Sequence, residues 1–88
     1  MSQPNVWTVE IVFTEEGDDT RADAVLETGT EQIRGWGKAQ KNPDDPDVPR
    51  IGVEIAAARS LEDVVRKLLN EAEDEIAEHT GEHAHVHR

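Results

Sequence analysis

A chain of 88 residues with a formal net charge of -11 and a pI near 4.6 is one small domain, near the lower size at which a chain folds unaided. It has no cysteine, which excludes disulfide staples and cysteine-type structural zinc and gives no sign of an oxidising compartment. No stretch approaches the ~20 apolar residues of a membrane span, and "MSQPNVWTVE" has neither the basic start nor the apolar segment of a signal peptide, so a cytoplasmic protein is expected.

The charge is uneven. Residues 1–32 carry eight acids and one base, residues 33–50 four bases and three acids, and residues 51–88 nine acids and four bases. Long-range electrostatics of such a chain repel nucleic acid and anionic membranes alike. Any nucleic-acid contact must use a local patch, and the middle segment is where one is available.

In chain order, residues 6–14 ("VWTVEIVFT") alternate with period two. Trp7, Val9, Ile11 and Phe13 share one face and Thr8 and Glu10 the other, which predicts a half-buried strand. "EEGDD" reads as a turn. Residues 20–28 ("TRADAVLET") alternate again, with Ala22, Ala24 and Leu26 on one side and Arg21, Asp23, Val25 and Glu27 on the other. "GTEQ" turns the chain at Gly29, and connections this short favour an antiparallel meander. In residues 33–40 ("IRGWGKAQ"), Ile33, Gly35, Gly37 and Ala39 share one face and Arg34, Trp36, Lys38 and Gln40 the other. A strand face of Gly and Ala is suited to the close approach of another backbone, so Gly35, Gly37 and Ala39 are expected to pack beneath a helix.

Pro43, Pro46 and Pro49 stiffen the connector "KNPDDPDVPRIG". Pro49 suits the first position of a helix, and Asp47 lies near enough to favour its N-terminus. From Arg50 to His79, apolar residues recur every three or four positions. An unbroken 30-residue helix would run about 45 Å, longer than a compact domain of this size. "SLED" offers a break, with Ser60 as cap and Asp63 at the capping-box spacing. The expected fold is therefore α+β: a three-stranded antiparallel meander, then a short helix over residues 49–59 and a long one over 61–79, both on one face. Residues 1–80 form the single domain, and 81–88, after Gly81, a disordered His-rich tail.

No catalytic constellation is visible. The serines are Ser2, near the terminus, and Ser60; no histidine lies in the body of the fold to act as a base. The acid pairs fall in turns or on a helix's polar face, where carboxylates stay solvated. "GWG" lies inside a strand pattern and opens no helix, unlike a phosphate-cradling loop. An enzyme is not expected, nor a cofactor or small-molecule substrate. His83, His85 and His87 are metal-ligand types, but a terminal tract without a supporting shell reads as a solvated tail. What remains is the face bearing Arg21, Arg34, Trp36 and Lys38. A tryptophan beside cations on an open sheet can stack on bases while the cations meet phosphates. The same residues suit a dimer or protein interface, where Trp and Arg are enriched, and they also suit a Trp lying flat under aliphatic stems.

The runs "WTVEI", "TRADAVL" and "GWGKAQKNPDDPDVPRIGVEIAAARSLEDV" resemble a small actinobacterial dsRBD-like family of unknown function associated with hypoxia and dormancy. The resemblance spans residues 7 to about 70 and is densest at Gly35, Gly37, Ala39, Asn42-Pro43, Val48-Pro49, Ile51-Gly52, Glu54, Ala58-Arg59 and Leu61. It implies a three-stranded antiparallel sheet followed by helix, a homodimer, and a likeness to double-stranded RNA-binding domains and ribosome hibernation-promoting factors. It brings no catalytic residues. Two readings stand: a dimeric stress or dormancy protein that associates with the ribosome or structured RNA, and a homodimeric interaction module with no nucleic-acid role.

Overall fold

The computed structural model describes residues 5–41 and 48–80. Three strands, β1 (Thr8–Glu16), β2 (Asp19–Glu27) and β3 (Gln32–Gln40), form an antiparallel meander in the order β1-β2-β3, followed by one helix, α1 (Pro49–Thr80). Nine consecutive residues pair in each ladder without a bulge. Gly17, at φ 60, opens the two-residue turn between Glu16 and Asp19. A first central residue with positive φ and a second without is a type II′ turn, whose twist matches the flanking strands. Between β2 and β3 the chain turns through Gly29 (φ 96), and the Thr28 N–H donates to the Glu31 carbonyl at 3.1 Å.

The helix is unbroken for 32 residues, which corrects the expected pair of helices. Both residues of the supposed capping box are used elsewhere. Ser60 is wholly buried and its hydroxyl donates to the Ala57 carbonyl one turn back, at 2.7 Å, so it does not cap a new helix. Asp63 accepts from the Trp36 N–H at 3.0 Å, across in β3. Compactness does not force a break either, because the molecule is elongated. Its long dimension is 51 Å, and a helix of this length spans about 48 Å. Pro49 is the first helical residue, and the Val48 carbonyl accepts from the Ile51 N–H at 3.1 Å. Asp47, the proposed electrostatic aid to that terminus, lies outside the described residues, as does the tail at 81–88.

Small residues seat the helix. Gly52, Ala56 and Ser60 recur every four positions along α1; Ala56 and Ser60 meet the row Ala39, Gly37 and Gly35 on β3 with Ala22 and Ala24 beside it, and Gly52 faces Thr20 of β2. A Cβ on Gly37 would lie 2.5 Å from the Ser60 nitrogen and 2.7 Å from the Ala56 carbonyl oxygen; one on Gly35 would lie 2.7 Å from the Ser60 carbonyl oxygen. Helix backbone thus rests directly on strand backbone. At the far end the contact becomes a conventional apolar core of Ala24, Leu26, Ile33 and Val64, with Ile11 and Leu68 against it.

A second row of contacts runs beside the first. Arg59 donates to the Lys38 carbonyl at 2.6 Å, Asp63 accepts from the Trp36 N–H, and Lys67 donates to the Arg34 carbonyl at 2.7 Å. Four helix residues rise about 6.0 Å and two strand residues about 6.7 Å. Side chains at 59, 63 and 67 therefore stay in step with backbone groups at 38, 36 and 34. They occupy the outer edge of β3, where an unpaired strand would otherwise offer its hydrogen-bonding groups to another chain. Asp63 is only 7% exposed; the Trp36 N–H above all, helped by Lys67 and Arg66, holds its carboxyl below the usual aspartate range, against a smaller opposing effect of burial.

Two outcomes test this packing. Gly37→Val should lower stability by about 1–3 kcal/mol or more, because the obstructing atoms are backbone. Gly52→Ala, whose Cβ would meet only the Thr20 hydroxyl at 3.4 Å, should be neutral or stabilising by up to ~1 kcal/mol through helix propensity. Urea midpoints of the two variants measure both. A carboxylate with a lowered folded-state pKa stabilises above the unfolded value of about 3.9 and loses that contribution as pH falls through the folded value. Asp63→Asn should therefore be less stable than the parent at pH 7 and converge with it near pH 2, as read from melting temperatures across that range.

Candidate functional site

The sheet has two unlike faces. On the face away from the helix, the ladder sets Arg21 opposite Lys38, Asp23 opposite Trp36 and Val25 opposite Arg34. Arg21, Arg34, Trp36 and Lys38 are thereby brought onto one open surface, and Trp36 is 50% exposed. The Arg21 guanidinium lies over the Trp36 ring, 4.5 Å from its centroid, a cation–π contact. Arg21 is also held by Asp23, with Nε 3.1 Å from Oδ2 and Nη2 3.1 Å from Oδ1. Lys38 pairs with Asp19 at 3.0 Å, and Arg34 donates to the Gln32 side-chain oxygen at 3.1 Å. Across the three strands, this face carries Arg21, Arg34 and Lys38 against Glu10, Glu16, Asp19, Asp23 and Glu27. It is acidic in sum, unlike the basic stripe of a nucleic-acid binder.

The helix side holds the second surface. Because α1 must lie over Gly35 and Gly37, it covers β2 and β3 and leaves β1 beside it. The row Val9, Ile11 and Phe13 points to the helix side, opposite Leu26, Ala24 and Ala22. Ile11 alone of the three packs into the core; Val9 is 46% and Phe13 40% exposed, with Trp7 bare just before the strand. Alternation predicts that Trp7, Val9, Ile11 and Phe13 form the buried face of a half-buried strand, and the structure corrects that for all but Ile11. On the helix, Leu61 and Val65 are likewise more than a third exposed.

Gly35, Gly37 and Ala39 lie on the helix side, under Ala56, Ser60 and Val64. The functional use of Arg59, Asp63 and Lys67 along the β3 edge was missed at the level of sequence, although their spacing by four was a signal of a shared helix face. Among the described residues, no group of three or more His, Cys, Asp or Glu side chains converges on a metal-sized site, and no helix is long and apolar enough to cross a membrane. His83, His85 and His87 lie outside the described residues.

Known proteins are similar to this chain in sequence and in fold. The Rv2632c-like family matches residues 5–85. The uncharacterized protein Mb1767 of Mycobacterium bovis and MT1780 of Mycobacterium tuberculosis are each 39% identical over 70 residues, covering 80% of this chain and 74% of theirs. The uncharacterized protein Rv2632c of Mycobacterium tuberculosis is 37% identical over 60 residues, covering 68% of this chain and 64% of its own. The crystal structure of Rv2632c superposes with a TM-score of 0.82 at 30% identity, covering 92% of this chain and 96% of that one. With a single meander, one long helix and these matches across nearly its whole length, the chain belongs to the Rv2632c-like family.

Proposed function

We propose that this protein is a non-enzymatic, homodimeric interaction module. The observation that carries this reading is the bare apolar row of Val9 and Phe13, with Trp7 beside it, on a chain otherwise dominated by charge. Contiguous exposed apolar surface on a small domain marks a site of association, and a domain with so thin a core gains stability by sharing one. The non-enzymatic part is supported by the fate of Ser60, buried against a glycine floor. It is supported also by the place of His79, on the exposed last turn of α1.

A second reading, favoured by the Arg21–Trp36 stack with Arg34 and Lys38 beside it, puts the protein on the ribosome or structured RNA during stress or dormancy. The dsRBD-like and hibernation-factor resemblance supports it; the excess of acids on the same face, and the pairing of Arg21 and Lys38 with Asp23 and Asp19, weigh against it.

Static light scattering at micromolar concentration should give twice the chain mass, and the monomer mass would overturn the homodimer. Co-sedimentation with ribosomes and with duplex RNA from 200 mM down to 50 mM salt separates the two readings. The first expects no binding at any salt and no effect of Trp36→Ala. Binding that strengthens steeply as salt falls, and that Trp36→Ala or Arg34→Ala weakens, would replace it with the second.

A further inference from the structure

Where α1 begins, the structure holds a cleft of about 400 Å3, within the size range of small-molecule sites. Its floor is one row of the sheet. The ladders set Glu15 of β1 beside Thr20 of β2, and Thr20 beside Ala39 of β3. Its wall is the first two turns of α1, which contribute Ile51, Gly52 and Ile55, with Val48 just before them. Asp18, in the β1–β2 turn, stands on the rim. Val48, Ile51 and Ile55 are each more than a third exposed, so these side chains line the cleft instead of packing into the core.

Thr20 sets this cleft apart from a gap in packing. It is 8% exposed and shares the helix side of β2 with Ala22 and Ala24. Its hydroxyl faces α1, since a Cβ on Gly52 would lie 3.4 Å from the oxygen. Among the described residues that hydroxyl has no hydrogen-bond partner. No fully enclosed side-chain nitrogen or oxygen among them lacks a partner, so the Thr20 oxygen must reach the cleft. Buried polar groups are as a rule hydrogen-bonded within the protein. One that reaches only a cleft takes its partner from what fills the cleft.

Charge selects the ligand. Glu15 stands beside Thr20 on the same side of the sheet, and among the described residues its carboxylate has no ion-pair or hydrogen-bond partner. Asp18 adds a second carboxylate, while Lys41, also on the rim, is already engaged. The start of α1 contributes only about half a positive charge, which two carboxylates outweigh. The chain as a whole carries -11, and its field draws cations and repels anions.

We infer that this cleft is a binding site for a small primary amine with an apolar body. The ammonium, which has three donors and no acceptor, lies between the Glu15 carboxylate and the Thr20 hydroxyl, both of which accept. The carbon chain lies along Ile51 and Ile55. Gly52 keeps the hydroxyl accessible, because a side chain there would stand over the Thr20 oxygen. The site uses neither Val9 nor Phe13 and does not depend on the homodimer.

The test titrates isotope-labelled full-length protein at neutral pH with hexylamine, hexanoate and hexanol, which share a carbon chain and differ in the head group. Hexylamine should give saturable amide shifts confined to the surroundings of Glu15, Thr20, Gly52 and Ile55. Hexanoate should give none, and hexanol should bind at least about tenfold more weakly. Thr20→Val removes the hydroxyl with little change of shape. Because no protein partner is lost, its melting temperature should hold or rise. Thr20→Val, Glu15→Gln and Gly52→Ala should each weaken hexylamine about fivefold or more and keep the parent amide spectrum outside the cleft. Any one of four outcomes overturns the site: no shift, shifts spread over the acidic surface without saturation, hexanoate or hexanol binding as tightly as hexylamine, or an affinity unchanged in Thr20→Val or in Glu15→Gln. A Thr20→Val protein that melts well below the parent overturns it too, by showing that the hydroxyl serves the fold.

Discussion

Gly35 and Gly37 leave room for backbone atoms of Ala56 and Ser60 to lie where strand side chains would otherwise stand. The helix is held at that height and over that strand because few other places on the sheet admit it. Ala22 and Ala24 widen the small floor toward β2, while the bulkier Val9 and Phe13 of β1 stand outside it. The seat is thus off-centre, and the off-centre seat decides which residues form the core and which remain bare.

From the same seat follows the asymmetry of the edges. A helix over β3 carries Arg59, Asp63 and Lys67 down to that strand's outer backbone, and the near match of four helix residues to two strand residues lets all three engage together. The middle of this row is anchored by charge: the Asp63 carboxylate is nearly buried and accepts from the Trp36 N–H, with Arg66 and Lys67 against it. β1 lies too far from the helix to receive such caps. One edge is closed by the chain's own side chains, and among the described residues no side chain closes the other.

Much of the architecture was legible in residue pattern. Period-two alternation located three strands to within two residues at each end, and the Gly/Ala parity of residues 33–40 separated a packing face from an open one. The break at Ser60 was misread because a serine followed three residues later by an acid fits both a cap and a contact; only the proximity of β3 assigns Ser60 to the glycine floor and Asp63 to Trp36. The Arg21, Arg34, Trp36 and Lys38 cluster was legible as a shared face because side-chain parity is local. The Arg21–Asp23 pair was legible for the same reason, being two apart on one strand; the pairing of Lys38 with Asp19 was not, since it crosses between strands and depends on ladder register.

By itself the sequence determined the meander, the helix, the small-residue stripe and the excess of acid, each of which is set by neighbours within a few positions along the chain. Only the tertiary structure decided that α1 runs whole past the sheet and that it sits over β3. Only there did Val9 and Phe13 prove to be surface, whatever their hydrophobicity. Alternation records which side of a strand is apolar; whether anything covers that side depends on where a distant helix finds room, and here two glycines on the opposite edge strand supply the room.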